Sequence, residues 1–484
     1  MEPLPKGQAG GSASNIAPNY MDGAMLANDA EFFLYGGMLR ITDEFEPPHP
    51  DDITSYQAYQ YGIQKDAFGP HFLNARLPTE MTRYLAYGGA ASAPSENKAW
   101  YFSGMHAPSW GEVQYPSSNQ SLTASTVSDT LITLDMSTQQ QEVWKNETLP
   151  YPIAGRANPE LVWVPVGSQG ILVALGGVVF PEFTSSSHKS GNSAVSEKDS
   201  PEFMSRIDIY DVAGDRWYQQ TTSGGPAGAL TRGCAVVAPA QDGSSFNIYH
   251  YGGYDGLHVT GDFNDDVWVL SIPSFTWTKV ASGTASHGRA GHKCFMPYPD
   301  QMMVIGGYAP LTGTSARCVE GGIVQVFNLS SATWMTGYHP EKWSNYSIPD
   351  TVLKSIGGTP AGGATVTSPS PSGWADSALG AVFATPYPTT KIQKWYPYAV
   401  AAADNNTNPD TTPTPRPGGS GLPSYLPPLL GVICGLIFLT LLVAAFIIWR
   451  RRKYLSNGGS VTEFGTEDSN GNRIMAWIRG GQYD

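Results

Sequence analysis

Residues 156–217 decide the fold: Arg156, then Leu172-Val173-Ala174-Leu175-Gly176-Gly177, then Ile207-Asp208-Ile209-Tyr210-Asp211, and finally Trp217. An apolar run ends in two small residues, a loop follows, and a run of alternating polarity leads to a tryptophan, the pattern of short strands separated by turns. The order recurs. Arg83 leads through Tyr101-Phe102-Ser103-Gly104 and Leu131-Ile132-Thr133-Leu134 to Trp144. Arg232 leads through Ile248-Tyr249-His250-Tyr251-Gly252-Gly253 and Asp265-Asp266-Val267-Trp268-Val269-Leu270 to Trp277. Arg289 leads through Met302-Met303-Val304-Ile305-Gly306-Gly307 and Val324-Gln325-Val326-Phe327-Asn328 to Trp334.

From arginine to small pair the spacing is 20, 20, 20 and 17 residues, whereas the loops that follow vary freely. Rigid strands hold their spacing and surface loops do not. A partial fifth copy comes first, with Phe32-Phe33-Leu34-Tyr35 before Gly36 and Gly37 but no arginine 20 residues earlier. Each copy reads as four antiparallel strands, and a unit of roughly 50–75 residues of that kind is a propeller blade. Strands that converge near an axis need residues without Cβ where they bend or meet a neighbouring backbone, which accounts for the glycine pairs. Trp217, Trp277 and Trp334, with Tyr210, Leu270 and Phe327 seven residues before them, are expected to fill the space between sheets.

Gly-Gly after an apolar strand, followed by Tyr210 and six residues later Trp217, resembles the kelch repeat over about 310 residues. The resemblance implies an all-β, kelch-type β-propeller over residues 21–340, with five blades visible here and six or seven in the full product, because a propeller must close on itself. Kelch blades, a Ser/Thr/Pro stalk, one span and a short basic-started tail are together similar to the membrane-anchored kelch proteins of filamentous fungi. Proteins of that kind begin with a signal peptide. Here Met1-Glu2-Pro3-Leu4-Pro5-Lys6 leads into Gly, Ser and Ala without an apolar segment, so residues 1–20 are expected to be the remnant of a truncated start.

Leu429 to Trp449 run for 21 residues without a charged side chain, long enough to cross a bilayer as a helix. Residues 425–449 are therefore read as one transmembrane helix, and Arg450, Arg451, Arg452 and Lys453 put its C-terminal side in the cytoplasm. The propeller would then lie outside the cell or in a secretory lumen. The chain's net charge is −13, and the tail's six basic and four acidic side chains leave −15 for everything before the span. That balance excludes nucleic acid as a partner, since its backbone requires a basic face. Five Asn-x-Ser/Thr acceptors, Asn119, Asn146, Asn328, Asn345 and Asn405, all precede the span. Residues 341–400 hold no blade register and are expected to pack on the propeller. Residues 401–424, with five prolines, read as an extended stalk, and 450–484 as a disordered cytoplasmic tail.

Of four cysteines, Cys434 lies in the span. Cys294 near the start of its blade's first strand and Cys318 before the third would share one end of a sheet, so Cys294–Cys318 is the expected disulfide. Cys234, similarly placed in the preceding blade, is the alternative partner or a buried thiol. The nine histidines show no paired metal spacing, and His250 and His292 read as packing residues. Kelch propellers resemble the galactose-oxidase class, whose copper site needs two histidines and two tyrosines, one of them crosslinked to a cysteine; that set is not visible. Asp262-Phe263-Asn264-Asp265-Asp266 starts like a calcium loop but continues with Val267 and Pro273 where glycine and glutamate are required. No catalytic residue, metal ligand or cofactor is expected.

The expected protein is a type I, single-pass membrane protein whose extracellular propeller binds, adheres or senses at the cell surface or wall. Its partner would be a protein or glycan met by the longest loops, residues 38–55, 105–127 and 178–203. Two alternatives are a galactose-oxidase-like copper enzyme and a cytosolic-facing kelch scaffold anchored by its C-terminal helix.

Overall fold

The computed structural model describes residues 20–40, 47–57, 73–115, 117, 119–182, 189–283, 287–311, 319–398, 465–467 and 473–475. The alternating patterns become five antiparallel sheets of four blade strands each, laid down in chain order. Blade 1 holds Tyr20–Ala27, Glu31–Arg40, Asp52–Gln57 and Leu73–Arg76; blade 2 holds Gly89–Ala93, Lys98–Phe102, Thr130–Asp135 and Val143–Thr148. Blade 3 holds Glu160–Val164, Ile171–Leu175, Arg206–Asp211 and Arg216–Thr221. Blade 4 holds Cys234–Pro239, Phe246–Tyr251, Asp266–Ile272 and Thr276–Ser282. Blade 5 holds Ala290–Tyr298, Gln301–Tyr308, Val324–Asn328 and Thr333–Trp334. First strands pack against first strands from blade 1 through blade 5, as in an all-β propeller.

The motif aromatics pair as the repeat predicts. Tyr210 lies opposite Trp217, Leu270 opposite Trp277, Phe327 opposite Trp334 and Leu134 opposite Trp144. Each pair closes the outer half of a blade. Trp277 is buried, and its indole Nε1 donates to the Met204 carbonyl of blade 3 at 3.1 Å. Apolar clusters fill the gaps between successive sheets: blades 1 and 2 around Phe33, Tyr35 and Tyr101, blades 3 and 4 around Ile209, Ile248 and Leu270, blades 4 and 5 around Tyr249, Val304 and Phe327.

Beyond Trp334 the chain runs on without a sheet strand to residue 398, with two short helices, Asp350–Ile356 and Ser377–Ala384. Both are anchored by their apolar sides. Val352 and Ile356 join the core between blades 4 and 5, and Leu379 joins the core between blades 3 and 4.

Residues 400–484 form a second unit. Its described part is one antiparallel pair, Gly465–Glu467 with Arg473–Met475, within the tail expected to be disordered. The intervening sequence carries Asn470-Gly471, a dipeptide that favours hairpins. Among the described residues no helix is long and apolar enough to cross a membrane. The span read at 425–449, the basic cluster Arg450 to Lys453, the stalk, Asn405 and the start at 1–19 lie outside the described residues.

Candidate functional site

In a four-stranded blade the turns joining strands 1–2 and 3–4 lie at one end, and the connections 2–3 and 4–1 at the other. The three loops singled out in the sequence, 38–55, 105–127 and 178–203, all contain 2–3 connections and so share one face, although the structure places residues 38–40 and 52–55 of the first in strands and leaves 41–51 as the connection. Two of them carry local order. Met105–His106 pairs with Thr126–Val127 in a small hairpin, and Ser193–Asp199 forms a helix capped by Asn192, whose side chain accepts from the Val195 amide. At the tip of the first, Trp110 is 42% exposed, stands at φ +57° and stacks on the buried ring of His106. A left-handed tryptophan is a strained conformation of the kind that collects at binding sites.

The opposite end is occupied by the chain itself. Residues 341–398 visit the 1–2 turn of every blade in reverse order. In blade 5, Asp300 Oδ2 accepts from the Ser344 amide and hydroxyl at 3.0 and 2.9 Å. In blade 4, Asp242 accepts from the Gly363 amide at 2.6 Å. The Gly167 amide of blade 3 donates to the Thr385 carbonyl at 3.0 Å. In blade 2, Glu96 accepts from the Tyr387 hydroxyl at 2.5 Å and from Lys391 Nζ at 2.9 Å. Asp29 of blade 1 accepts from Trp395 Nε1 at 2.8 Å. This strap also walls a cavity of about 1120 Å³, with Phe383, Tyr387 and Ile392 on one side and Val237, Phe246 and Met296 on the other.

The glycine pairs are the joints between blades. The second residue of each pair donates its amide to the segment entering the next blade: Gly37 to the Leu85 carbonyl (2.6 Å), Gly104 to Arg156 (3.1 Å), Gly177 to Leu230 (2.9 Å) and Gly253 to Arg289 (2.8 Å). Both members of each pair have positive φ, Gly176 and Gly177 at +60° and +102°, which glycine adopts without strain. In blade 2 the first place is Ser103, at φ +55°, the substitution that the sequence already displays. Gly306 and Gly307 of blade 5 keep the same geometry, at +73° and +90°, but a Cβ built on Gly306 would meet no heavy atom within 4 Å.

The motif arginines divide into two roles. Arg156 is fully buried, its Nε donating to the Gly176 carbonyl at 2.7 Å and its Nη1 to Asp208 Oδ2 at 2.6 Å. Arg289 likewise reaches the Gly306 carbonyl at 3.3 Å. Arg83 departs from the repeat: its guanidinium lies over the Tyr20 ring at 3.6 Å and donates back to the Gly36 carbonyl of blade 1 at 3.3 Å. Arg232 departs further, pairing with Asp22 of blade 1 at 2.9 Å and with the Tyr308 hydroxyl of blade 5 at 3.1 Å. It clasps the first and last blades to each other. Beside it Glu160 is pushed up to about 7 by burial, with Lys293 and Arg232 pulling the other way.

The cysteine expectation is corrected. Cys294 is bonded to Cys234, with Cα atoms 5.5 Å apart, and Cys318 lies outside the described residues. Both partners sit on first strands of adjacent blades, so the link staples blade 4 to blade 5 and does not close a loop within one sheet. His292 stands next to it. It is fully buried, donates Nε2–H to the Tyr251 carbonyl at 3.1 Å, and its ring is held neutral, pushed down to about 3 by burial with that hydrogen bond opposing. His250 faces the other side of blade 4 and is pushed down to about 4 by burial.

Of the glycosylation acceptors, Asn119, Asn146 and Asn345 are exposed. Asn328 is half-buried, with Oδ1 accepting from the Ser330 and Ser331 amides. The Asp262–Asp266 stretch lines a separate cavity of about 430 Å³ with Asp255 and His258, and Asp266 is paired with Lys279.

Five repeated blades with glycine joints and one face of long loops define a repeat-built β-propeller. No family model matches the chain. It is 26% identical over 509 aligned residues to a kelch repeat-containing protein of Arthroderma benhamiae, an alignment covering 94% of this chain and 67% of that protein. The chain is a kelch-repeat β-propeller.

Proposed function

We propose that the propeller is a binding module, not an enzyme, and that it takes its partner on the face formed by the 2–3 loops. The observation that carries this is the strap. Because residues 341–398 cover the 1–2 turns of all five blades, the loops free to meet a large partner are those at the other end. Trp110 is the anchor in this reading, since an exposed aromatic held on a rigid neighbour is the residue type that dominates interface energies. The partner is an extracellular protein or a glycan. The protein is a single-pass glycoprotein of the plasma or secretory membrane, held by residues 425–449 with Arg450 to Lys453 in the cytoplasm. No cofactor takes part.

Support for the topology comes from the sequence: an uncharged 21-residue segment followed by four basic residues, and three exposed sequons before it, Asn119 and Asn146 on the propeller and Asn345 on the strap. Of the six or seven blades expected, the described residues form five, and the boundary between blades 5 and 1 keeps an unmatched joint at Gly306 and apolar side chains on the outer faces of both blades. Met25 is 58% exposed, Phe295 43% and Val324 42%.

The test is site-specific photocrosslinking on intact cells, with the crosslinker at position 110 or at position 392 of the strap, combined with N-glycan removal. Crosslinks from 110 and a mobility shift on deglycosylation are expected. Crosslinks from 392 alone would move the site to the strap end, and an unglycosylated chain inaccessible to surface labelling would overturn the topology.

A further inference from the structure

The joint between blades 4 and 5 carries donors that the binding reading does not use. Cys234 Sγ, Cys294 Sγ and a ring nitrogen of His292 all lie within 4.8 Å of one another. Cys234 is 2% exposed and His292 fully buried, while Cys294 is half-buried. Since His292 Nε2 carries the proton given to the Tyr251 carbonyl, its Nδ1 bears a lone pair. That Nδ1 is buried and has no hydrogen-bond partner among the described residues. A buried imidazole normally satisfies both nitrogens, so an unpartnered one beside two sulfurs calls for a ligand. Two first strands fix the donors in place: Cys234 opposite Tyr251 in blade 4, and His292 and Cys294 two positions apart on one face of Ala290–Tyr298 in blade 5.

We propose that Cys234, Cys294 and His292 form a redox-gated metal site, which as the dithiol binds one thiophilic closed-shell cation, Zn(II) or Cu(I), and as the disulfide releases it. Two thiolates and one imidazole suit these ions and not hard cations such as Ca²⁺ or Mg²⁺. The gate is thiol–disulfide exchange. A low-molecular-weight thiol attacks the half-buried Cys294 sulfur and displaces the Cys234 thiolate, which is protonated; a second thiol then attacks the mixed disulfide, frees Cys294 and leaves with the first as their own disulfide, so that two thiols supply the two electrons and two protons. Binding Zn(II) then displaces the two thiol protons. In either state blades 4 and 5 stay bridged, by a covalent bond or by a metal ion.

The test uses the full chain in detergent micelles, with Cys318→Ser and Cys434→Ser so that only this pair remains. After phosphine reduction and its anaerobic removal, Zn(II) and Cu(I) are titrated separately against chromophoric chelators. One ion per reduced chain is expected, with none retained after reoxidation, and His292→Asn should weaken binding by at least ~10-fold. X-ray absorption at the metal edge, which needs no variant and so survives a folding failure of His292→Asn, should count two sulfurs and one imidazole. A reduced chain that binds neither ion, an affinity indifferent to His292→Asn in a folded variant, or a spectrum with sulfur but no imidazole would each overturn the site.

Discussion

Changing Gly176 to alanine, set beside the same change at Gly306, isolates what one interblade joint contributes. The two positions share a conformation, φ +60° and +73°, so both alanines incur about 1–2 kcal/mol for the left-handed region. Each recovers roughly 0.4–1 kcal/mol because alanine restricts the unfolded chain. Gly306→Ala should therefore destabilise by about 1 kcal/mol and no more, since its methyl meets open space. At Gly176 the methyl would lie 2.2 Å from the Leu230 carbonyl oxygen. That oxygen accepts the Gly177 amide and must retreat, leaving a buried acceptor and donor unpaired at a further cost of about 1–3 kcal/mol. Gly176→Ala should thus fall about 2 kcal/mol below Gly306→Ala in unfolding free energy. Denaturant titrations followed by tryptophan fluorescence, with equal m-values, measure the difference. Equal losses in the two variants would refute the claim that these glycines join blades.

Asp208→Ala strands the guanidinium of Arg156, both partners being at most 2% exposed, and should cost ~3–5 kcal/mol, whereas Glu202→Ala, which breaks an exposed pair with Arg206, should cost below ~1 kcal/mol in the same assay. Leu379→Ala in the strap, fully buried between blades 3 and 4, should lose ~2–5 kcal/mol and speed proteolysis between residues 385 and 398. The pH dependence has opposed parts. His250, depressed to about 4 by burial, takes its proton more readily in the unfolded chain, so its contribution is full above ~6.5 and lost as pH falls from there towards about 4. Glu160, raised to about 7, acts the other way, its contribution being full below ~4.3 and lost as pH rises through about 7. His250→Asn should therefore lower the slope of stability against pH between ~5 and ~6.5, and Glu160→Gln should raise it; identical slopes in both variants would refute the assignment. Non-reducing peptide mapping should recover Cys234 linked to Cys294, and breaking that link should cost about 4 kcal/mol in the chain-entropy model for its 60-residue separation.

The blades were legible because alternation with period two, glycine pairs and tryptophans are local signals, and each is enforced by packing within one sheet. Even the fragmentary first copy folded as a blade, although it lacks the arginine. What was hidden depends on relations between sheets. Cys234 and Cys294 are brought together by the rotation from one blade to the next, which no spacing within a repeat encodes; intrablade reasoning instead pointed to Cys318. Arg83 and Arg232 share the motif position of Arg156, yet their guanidinium groups turn to Gly36 and to Asp22 and Tyr308, because the partner that completes them belongs to another blade. Residues 341–400 are expected from the sequence to pack on the propeller, but which turns they meet cannot be read there. The strap's hydrogen bonds to the turns are made at irregular intervals by Ser344, Gly363, Thr385, Tyr387 and Trp395, and such contacts leave no periodicity to read.

How the ring is fastened follows from the same contacts. Four blade boundaries are sealed alike, by a glycine amide on an incoming carbonyl and by an apolar cluster. The boundary between blade 5 and blade 1 has neither: no apolar cluster among the described residues draws on both. Two fasteners bridge it instead. Arg232 ties Asp22 to Tyr308 on the side of the long loops. At the opposite end, Trp395 holds Asp29 of blade 1 while Tyr396 and Tyr398 pack on Tyr298 of blade 5, ring centroids 6.4 and 5.5 Å away. The strap therefore does more than cover the 1–2 turns, because its last residues touch both blade 1 and blade 5 across the one boundary that the repeat leaves open. Loosening it at Trp395 should act at a distance, letting blades 1 and 5 part and displacing the loops 38–55 that blade 1 contributes to the binding face. A binding defect in Trp395→Ala, with Trp110 untouched, is what this coupling predicts, and restoring the link with a designed disulfide between blades 1 and 5 should reverse it.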